Sequence, residues 1–469
     1  MKDALYHRIA LTFEEQIRSG TLKKGQKMPS LRLVHKEHGV SLNTVLQAYY
    51  ELEAKGLIVS RPKSGYYVSF SLPGLSIPSV SQPVWQCPSE SVESLVSRVY
   101  ASLNAEGITR FSLGVPDNQL LPIARLNKAM LEAMRNLKGS GTEYEDIQGN
   151  RKLREAVARM TYAWNGKLTG EDIVTTSGTM GALSFALQSV VEKGDTVAVE
   201  SPVYFGILQL ARSLGLQVIE LPTHPLTGID PDALRRVLPQ IDACILVGNF
   251  NNPLGSCMPD EHKREIVHML SERGIPLIED DIYGDLYFGS SRPRPCKYYD
   301  TENLVLWCGS VSKTLAPGYR VGWIAPGKYK DSVIHQKLIH TVSTTTLTQE
   351  AVAGFLEKGR YEHHLRKLRN ELHANSLHFS RAIEAYFPEG TRISRPQGGF
   401  MMWVELPRVD TTELYDQAIR RNISIAPGRM FSLQNQFVNC MRLSFGQRWS
   451  DEVEDRLQLL GKVAKNLMS

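Results

Sequence analysis

Apolar residues near the start of the chain recur at helical spacing. Every fourth position from residue 5 to residue 17 is apolar, which predicts a helix over 4–18 that ends at Gly20. Pro29-Ser30 predicts the start of a second helix with Ser30 as its N-cap, and a Gly-Val-Ser turn leads into a third helix over 42–55. Residues 58–68 alternate around a Pro/Ser/Gly turn, as a hairpin does. Three helices and a hairpin in this order predict a winged helix-turn-helix.

This periodic pattern stops near residue 70, and a helical pattern resumes at residue 91. Residues 71–90 contain four prolines and several serines without helical or strand period, so we interpret them as a semi-extended linker. The sequence therefore divides into an N-terminal domain at 1–70, the linker at 71–90 and a large domain at 91–469.

Short apolar runs alternate with amphipathic stretches through most of the large domain. Continuously apolar strands separated by helices predict a mainly parallel sheet that is covered on both faces. The runs lie at 173–176, 196–200, 218–220, 243–247, 276–278, 304–307 and 321–325. Beyond residue 349 the pattern becomes helical, and runs at 400–405 and 439–444 predict the strands of a smaller C-terminal α+β subdomain. We therefore expect a multidomain α/β protein whose ligands bind at the C-terminal ends of the strands.

The composition is that of a globular protein without a membrane segment. Of 469 residues, 42% are hydrophobic and 22% are charged, and no apolar run reaches the ~18 residues that a membrane helix needs. The polar N-terminus lacks the hydrophobic centre of a signal peptide. Six scattered cysteines form no Cys-x-x-Cys pair, and no His cluster has zinc spacing. We expect a cytoplasmic protein with no membrane partner and no metal.

The basic excess lies entirely at the N-terminal end. Residues 1–70 hold eleven Lys or Arg against six Asp or Glu, while the remaining chain holds 43 of each. The formal net charge of +5 therefore belongs to the small domain. A basic domain beside a neutral one suggests a polyanion as its partner, although many proteins that bind no nucleic acid carry a similar excess.

Lys313 lies in the most informative stretch of the large domain. It follows the apolar run 304–307, with Ser310 and Ser312 before it and Arg320 seven residues later. A lysine that forms a Schiff base must be neutral part of the time, and burial beside another cation lowers its pKa enough for that. Hydroxyls and an arginine also bind phosphate oxygens. The stretch suggests a site for pyridoxal 5'-phosphate (PLP), while a surface lysine in a Ser/Gly-rich turn would have the same local spacing.

Further motifs accompany Lys313 along the large domain. They are Thr-Ser-Gly-Thr at 176–179, Tyr204 after Glu-Ser-Pro-Val, Asn-Pro at 252–253, and Asp280 with Tyr283 after a strand. In this order they resemble the motifs of the fold type I, aspartate-aminotransferase-like PLP enzymes. Relatives often have glutamines near Met180 and Gly181, so phosphate contacts there would come from the backbone.

The resemblance implies a role for each matched residue. Lys313 would carry the aldimine, and Asp280 would keep the pyridinium nitrogen protonated so that the ring acts as an electron sink. Asn252 and Tyr283 would contact the phenolic oxygen, with Tyr204 stacked on the ring. The residues that would hold the phosphate are Gly178, Thr179, Ser310, Ser312 and Arg320. The helix that begins near Thr179 would also point its N-terminal amides at the phosphate.

Two more residues match the same family. Arg442, in Met-Arg-Leu-Ser-Phe-Gly, matches the arginine that holds the substrate's α-carboxylate. An arginine in a strand is costly to bury unpaired, so an anionic ligand is one partner and a carboxylate elsewhere in the chain is the alternative. Tyr144 matches a tyrosine that reaches the phosphate of the neighbouring subunit, which implies a homodimer.

The N-terminal domain resembles the GntR-type DNA-binding domain. The likeness rests on the whole set from Leu22 to Val68, including Met-Pro-Ser-Leu-Arg at 28–32 and Gly-Tyr-Tyr-Val at 65–68. Better-known members often carry arginines where this chain has Leu42 and Leu46. The residues that we expect to contact DNA are Ser41, Asn43, Thr44 and Gln47 in the recognition helix, and Arg32, Arg61 and Lys63 on phosphates. Asn43 and Gln47 could equally be plain solvated helix residues.

The two domains in one chain resemble the MocR subfamily of GntR-type transcription regulators. This implies a dimeric, PLP-dependent regulator that binds a double-stranded DNA operator and senses PLP, an amine or an amino acid through Lys313. The alternative is a genuine aminotransferase of amino acids, in which the DNA-binding domain is secondary. A third hypothesis is a PLP-free dimerisation scaffold, which would not require the Lys313, Asp280 and Arg442 set.

Overall fold

The computed structural model describes residues 5–468 apart from 19–20, 24, 55–56, 62–63, 70–74, 83–90, 103–106 and 358. Within these ranges, no helix combines the length and the apolar character that crossing a bilayer requires. The five described cysteines are all free. No group of three or more His, Cys, Asp or Glu in the same residues is placed to hold a metal ion.

The predicted winged helix-turn-helix is confirmed. Its elements are α1 (Leu5–Arg18), α2 (Leu31–His38), α3 (Leu42–Ala54), β1 (Ile58–Arg61) and β2 (Gly65–Val68). The Ser30 hydroxyl caps α2 by accepting a hydrogen bond from the Leu33 amide at 3.2 Å. Gly39 ends that helix in the left-handed conformation, at φ 62°. Buried apolar residues of the three helices and the hairpin form one core.

The described part of the linker is bound to the large domain along its length. We call residues 75–82 the strap. Its Ser76 carbonyl accepts from the Ile393 amide at 3.0 Å, and its Ser79 amide donates to Glu405 at 2.8 Å. At the other end, the Ser81 hydroxyl donates to the Ser201 carbonyl at 2.5 Å. The strap has no helix or strand and contacts two different parts of the large domain.

The large domain is built on an eight-stranded, mainly parallel sheet, which confirms the predicted architecture. The strands are β4 (Val174–Thr176), β5 (Thr196–Ser201), β6 (Gln217–His224), β7 (Gly228–Ile229), β8 (Ala243–Leu246), β9 (Leu277–Asp280), β10 (Val305–Ser310) and β11 (Gly322–Ala325), and a short β3 (Thr109–Arg110) precedes them. Their order is β4-β11-β10-β9-β8-β5-β6-β7. The run β6-β5-β8-β9-β10 is parallel, and β4, β7 and β11 pair antiparallel.

Helices cover both faces of this sheet. The helices of this part of the chain are α4 (Ser91–Ser102), α5 (Ile123–Asn136), α6 (Arg151–Met160), α7 (Gly178–Val190), α8 (Phe205–Ser213), α9 (Pro231–Val237), α10 (Asp260–Glu272), α11 (Lys330–Thr341) and α12 (Thr346–Glu357). Successive side chains of a strand point to opposite faces. In β5, Val197 and Val199 accordingly join the core under α7 and α8, while Ala198 joins the core under α9 and α10.

A smaller α+β subdomain follows, as predicted. It contains α13 (Arg360–Tyr386), α14 (Thr411–Ile419), α15 (Asp451–Asn466) and the strands β12 (Arg392–Ile393), β13 (Met401–Glu405), β14 (Ile423–Ser424), β15 (Ala426–Pro427) and β16 (Cys440–Ser444). Four of these strands form a sheet in the order β12-β13-β16-β15, and β14 pairs with β3 of the large domain. The strap reaches this subdomain at β12 and β13.

Two strands run further than their apolar residues indicate. The apolar run predicted β9 to end at residue 278, but it continues to Asp280, so Asp280 lies within the strand instead of beyond it. β10 likewise continues to Ser310 because Gly309 and Ser310 pair with β11. Hydrogen-bonded pairing thus extends both strands into polar residues and carries those residues to the ligand edge of the sheet.

Candidate functional site

A cavity of about 280 Å³ lies where the C-terminal ends of the parallel strands meet the small subdomain. Nine of the residues predicted from the sequence line it: Thr179, Tyr204, Asn252, Asp280, Tyr283, Ser312, Lys313, Arg320 and Arg442. Gly178 and Ser310 lie directly beside it, against Arg320 and Ser312 respectively. Arg442 comes from β16, so the cavity joins residues of both subdomains.

The Lys313 amine is the reactive group that the turn after β10 presents to this cavity. Its Nζ donates a hydrogen bond to the Gly114 carbonyl. Desolvation by the surrounding protein lowers the Lys313 pKa to about 8, and the charge of Arg442 acts in the same direction, while Asp280 opposes both. Near neutral pH the neutral, nucleophilic amine is therefore far more populated than in an exposed lysine.

The residue after the lysine is held from α13. The Tyr361 hydroxyl donates to Thr314 Oγ1 at 2.8 Å, and His364 Nε2 donates to the Thr314 carbonyl at 2.6 Å. Both contacts are buried. They fix the backbone that carries the Lys313 side chain and connect it to the long helix of the small subdomain.

Asp280 is a buried carboxyl that forms no ion pair with any described residue. Burial raises its pKa to about 7, against the hydrogen bond that it accepts from the Ile282 amide at 3.2 Å. A second buried carboxyl, Glu200 in β5, accepts from the Val247 amide at 2.6 Å, and burial raises its pKa to about 8. A cation placed beside Asp280 would restore its ionised form, which is the environment that a protonated ring nitrogen provides.

Several hydrogen-bond donors converge at the N-terminus of α7. The buried Thr179 hydroxyl has no hydrogen-bond partner in the described structure. The Ser310 and Ser312 hydroxyls lie 2.7 Å apart, and Arg320 Nη1 donates to Ser312 at 3.4 Å. A Cβ at Gly178 would lie 2.4 Å from Arg320 Nη2, so only glycine leaves room for that guanidinium. This set of donors, with the positive end of a helix, has the chemistry of a phosphate site.

Arg442 is a buried cation whose partners are all neutral. It is 3% exposed and donates to Asn252 Oδ1 at 3.1 Å and to the Ser112 carbonyl. Its Nε has no partner, and its guanidinium lies 5.2 Å from the centre of the Phe431 ring. Among the described residues it forms no ion pair, in contrast to Arg292, which pairs with two aspartates. The carboxylate alternative raised by the sequence therefore finds no candidate in the described part of the chain.

The remaining residues that were predicted to contact the cofactor ring also lie at this cavity. Asn252 Nδ2 donates to the Tyr283 hydroxyl at 3.5 Å, and Tyr204 lines the same cavity. The sequence did not indicate Tyr100 of α4, which also lines the cavity and packs edge-on against Phe205 at 5.5 Å. No motif surrounds Tyr100, and only tertiary packing places it there.

Tyr144 is not part of the cavity in its own chain. It is 88% exposed, on the segment between α5 and α6. The structure brings it to none of the other predicted residues, so a role for Tyr144 at a cofactor requires a second subunit.

Only some of the residues predicted to contact DNA are exposed to solvent. Arg32, Ser41, Asn43 and Arg61 are exposed, and Arg61 lies 4.2 Å over the Tyr67 ring. The Ser41 hydroxyl accepts from the Thr44 amide at 3.1 Å, so both residues also take part in starting α3. Lys63 lies outside the described residues.

Gln47 occupies a different environment from the other predicted DNA contacts. It is half-buried and lines a groove of about 320 Å³ between α3, residues 287–290 and α13. Tyr50 of α3 lies in the same groove. Burial raises the pKa of Glu53 in α3, and the charge of Arg381 in α13 acts weakly in the opposite direction. The recognition helix therefore contacts the large domain through its second half.

Comparison with known proteins finds a family match for the large domain and another for the N-terminal domain. Residues 107–457 match the family model "Aminotransferase class I and II", and residues 5–68 match "Bacterial regulatory proteins, gntR family". The chain is 37% identical over 467 residues to the uncharacterized HTH-type transcriptional regulator YjiR of Escherichia coli K12, covering 99% of each chain. It is 35% identical to YdcR of the same organism, described in the same words, over 98% of each.

Among solved structures, the large part of the chain is similar to an aminotransferase. LysN, the α-aminoadipate aminotransferase of Thermus thermophilus, was crystallised with N-(5'-phosphopyridoxyl)-L-leucine. It matches with a TM-score of 0.72 and 28% identity, over 79% of this chain and 97% of LysN. The likeness covers the part of the chain that contains the cavity.

The lowered pKa of Lys313 can be measured in the cofactor-free protein. Reductive methylation of Lys313, followed by peptide mass spectrometry, should reach half its maximal rate near pH 8, because desolvation and Arg442 disfavour the ammonium form. Exposed lysines should titrate near ~10.4. Arg442→Met should raise the Lys313 midpoint, and Arg421→Met, at an exposed position, should leave it in place. A wild-type midpoint near that of exposed lysines would contradict the assignment.

Proposed function

The chain belongs to the aminotransferase class I and II family and to the HTH-type transcriptional regulators with a GntR-family domain. We propose that it binds PLP and that binding of an amine ligand changes its affinity for DNA. The observation that carries the proposal is the buried Arg442, which has no anionic partner among the described residues and lines one cavity together with the Lys313 amine. An amino acid would present a carboxylate to the first and an amine to the second.

The residues of the cavity suit PLP. Lys313 would hold the cofactor covalently, Asp280 would lie beside its ring nitrogen, and Tyr204 would stack on the ring. Asn252 and Tyr283 would contact the ring oxygen. Its phosphate would bind among Gly178, Thr179, Ser310, Ser312 and Arg320, where the orphaned Thr179 hydroxyl and the space at Gly178 support such an anion. When bound, the cofactor supplies an electrophilic carbonyl carbon and an electron-withdrawing ring.

A homodimer is part of the proposal. Tyr144 matches the family tyrosine that reaches the phosphate of the neighbouring subunit, and its exposure outside its own cavity leaves it available for that role. Each site would then be completed by the partner's Tyr144, and two winged helices would be available for the two halves of a double-stranded operator.

The contacts of the strap support a coupling between the cavity and the winged helix. An amino acid that joins Lys313 to Arg442 would join the large domain to β16 of the small subdomain. The strap touches both parts, at Ser201 and at Glu405, and leads directly to the winged helix. A ligand that favours one arrangement of the two parts would therefore act on the DNA-binding domain, and a coupling of about 1–3 kcal/mol would suffice.

Aminotransferase activity is the second candidate function. The cavity holds a lysine, a buried aspartate and an arginine, and the large domain shares its fold with a solved aminotransferase. The chemistry of the cavity alone therefore does not separate a sensor from an enzyme. A PLP-free scaffold is disfavoured because such a scaffold would gain nothing from a buried cation without an anion.

Cofactor binding at Lys313 has a matched control within the chain. Lys313→Ala should abolish the visible absorption band of the purified protein and the borohydride-stable adduct on its peptide. Lys337→Met should retain both, although Lys337 is equally a buried lysine whose pKa burial lowers to about 8. Lys337 lies outside the cavity, with Thr175 as its hydrogen-bond partner at 3.4 Å. An adduct on any lysine other than Lys313 would overturn the site.

DNA binding should depend on the winged helix and weaken steeply with salt. Arg61→Ala should reduce affinity for all sequences alike and lower the salt slope by about 1, because one phosphate contact is lost. Arg235→Ala, an exposed arginine of α9, should have no effect. Gln47→Ala should cost about 1–3 kcal/mol on the operator only, if Gln47 leaves its groove to read a base. Unchanged sequence preference in that variant would remove Gln47 from the readout.

In a regulator, ligand binding changes the affinity for DNA, whereas in an enzyme it leads to rapid turnover. A panel of amino acids should contain one that shifts the cofactor absorption and changes operator affinity several-fold, while transamination stays far below the ~1–1000 per second of enzymes. Arg442→Ala should abolish that response and preserve basal DNA binding, whereas Arg408→Ala, at an exposed site of the same subdomain, should respond normally. Rapid turnover with DNA affinity indifferent to every ligand would favour the aminotransferase.

A further inference from the structure

Every charged side chain in the described lining of the cavity already has a partner in the proposed complex, so none remains to pair with a second charge on the ligand. The described lining contains four: Asp280, Lys313, Arg320 and Arg442. Under the proposed function, on which this inference rests, the first three serve the cofactor and Arg442 serves one carboxylate. In the described part of this chain, the cavity therefore offers neither a cation for a second carboxylate nor an anion for a distal amine.

The segment before α5 places an apolar wall beside the ligand. A Cβ at Gly114 would lie 3.8 Å from Lys313 Nζ and 3.9 Å from Arg442 Nη1, so this glycine lies between the groups that would hold the amine and the carboxylate. Its neighbours Leu113 and Val115 both line the cavity. The side chain of a bound amino acid would thus pass along aliphatic surface.

A series of ring contacts connects Arg442 to Tyr100 through Phe431 and Phe205, which are buried and do not themselves line the cavity. The Phe431 ring packs against the Arg442 guanidinium, Phe205 lies 6.1 Å from Phe431, and Tyr100 lies 5.5 Å from Phe205. Tyr100 is 47% exposed and lines the cavity, so its ring covers the cavity on the solvent side and adds to the apolar lining formed by Leu113 and Val115. Burying a charged side chain against such surface without a partner is strongly unfavourable, while an apolar side chain gains from it.

We propose that the amine ligand is an α-amino acid with an uncharged, apolar side chain, and that Tyr100 is the residue that sets this preference. Tyr100 acts by closing the side-chain end of the cavity with its aromatic ring. A cation at the same position would instead favour a second carboxylate.

The test compares ligands of similar length on the full-length protein loaded with PLP. Dissociation constants for L-methionine, L-glutamine, L-glutamate and L-lysine are measured from the cofactor absorption and by calorimetry. L-Methionine should bind about ten-fold or more tighter than L-glutamate or L-lysine, with L-glutamine between them. Tyr100→Phe should keep this order because the ring remains.

A change of charge at Tyr100 gives the opposite expectation. Tyr100→Arg should shift the ratio of the two affinities toward L-glutamate by about ten-fold or more, since the new cation can pair with the second carboxylate. Tyr162→Arg, at an exposed tyrosine outside the cavity, should leave the ratio unchanged. The exposure of Tyr100 makes the arginine compatible with folding, and circular dichroism of each variant checks this.

Different results would contradict the ligand class, the role of Tyr100 and the proposed function. Binding of L-glutamate or L-lysine to the wild type as tightly as L-methionine would overturn the ligand class. A preference for L-methionine that Tyr100→Arg does not alter would overturn the role of Tyr100. A protein that takes up no PLP, or whose absorption responds to no amine, would instead refute the proposed function.

Discussion

The way Arg442 is held constrains the arrangement of the whole large domain. A buried guanidinium without an anion must be stabilised by fixed dipoles, and here these come from separate parts of the chain. Asn252 follows β8, Ser112 follows β3, and the Phe431 ring belongs to the small subdomain. Because these partners are neutral, they hold the guanidinium in place without cancelling its charge. The charge remains available to a ligand, and the two subdomains meet around it.

Asp280, Glu200 and Lys313 are also buried ionisable groups, and burial shifts the pKa of each one. Burial raises the pKa of the two carboxyls to about 7 and about 8 and lowers that of the amine to about 8, so each group is displaced toward its neutral form. Of the three, Asp280 and Lys313 line the cavity, and ligand groups of opposite charge placed beside them would favour their ionised forms again. Ligand binding in this cavity would therefore be linked to proton uptake and release.

Much of the fold follows from local sequence, while several features of the site do not. Helical spacing and the Ser30 cap predicted the winged helix, and apolar runs predicted the parallel strands. Lys313 and Asp280 were predictable because each belongs to a local motif. Tyr100 and Gly114 were not, because their place depends on contacts with residues about a hundred or more positions away. The half-buried state of Gln47 also escaped prediction, since a helix facing another domain has the same sequence pattern as one facing water.

The strap also sets a length scale for the DNA-binding part of the molecule. The strap contacts the large domain from Leu75, which is buried, so the connection between the two parts runs only from Val68, the end of β2, to Leu75. A chain between these two points spans at most about 24 Å. In a dimer, both DNA-reading heads would be confined to small volumes around fixed anchor points. Such a dimer would reach only those pairs of half-sites whose separation lies within the range that these two short connections allow.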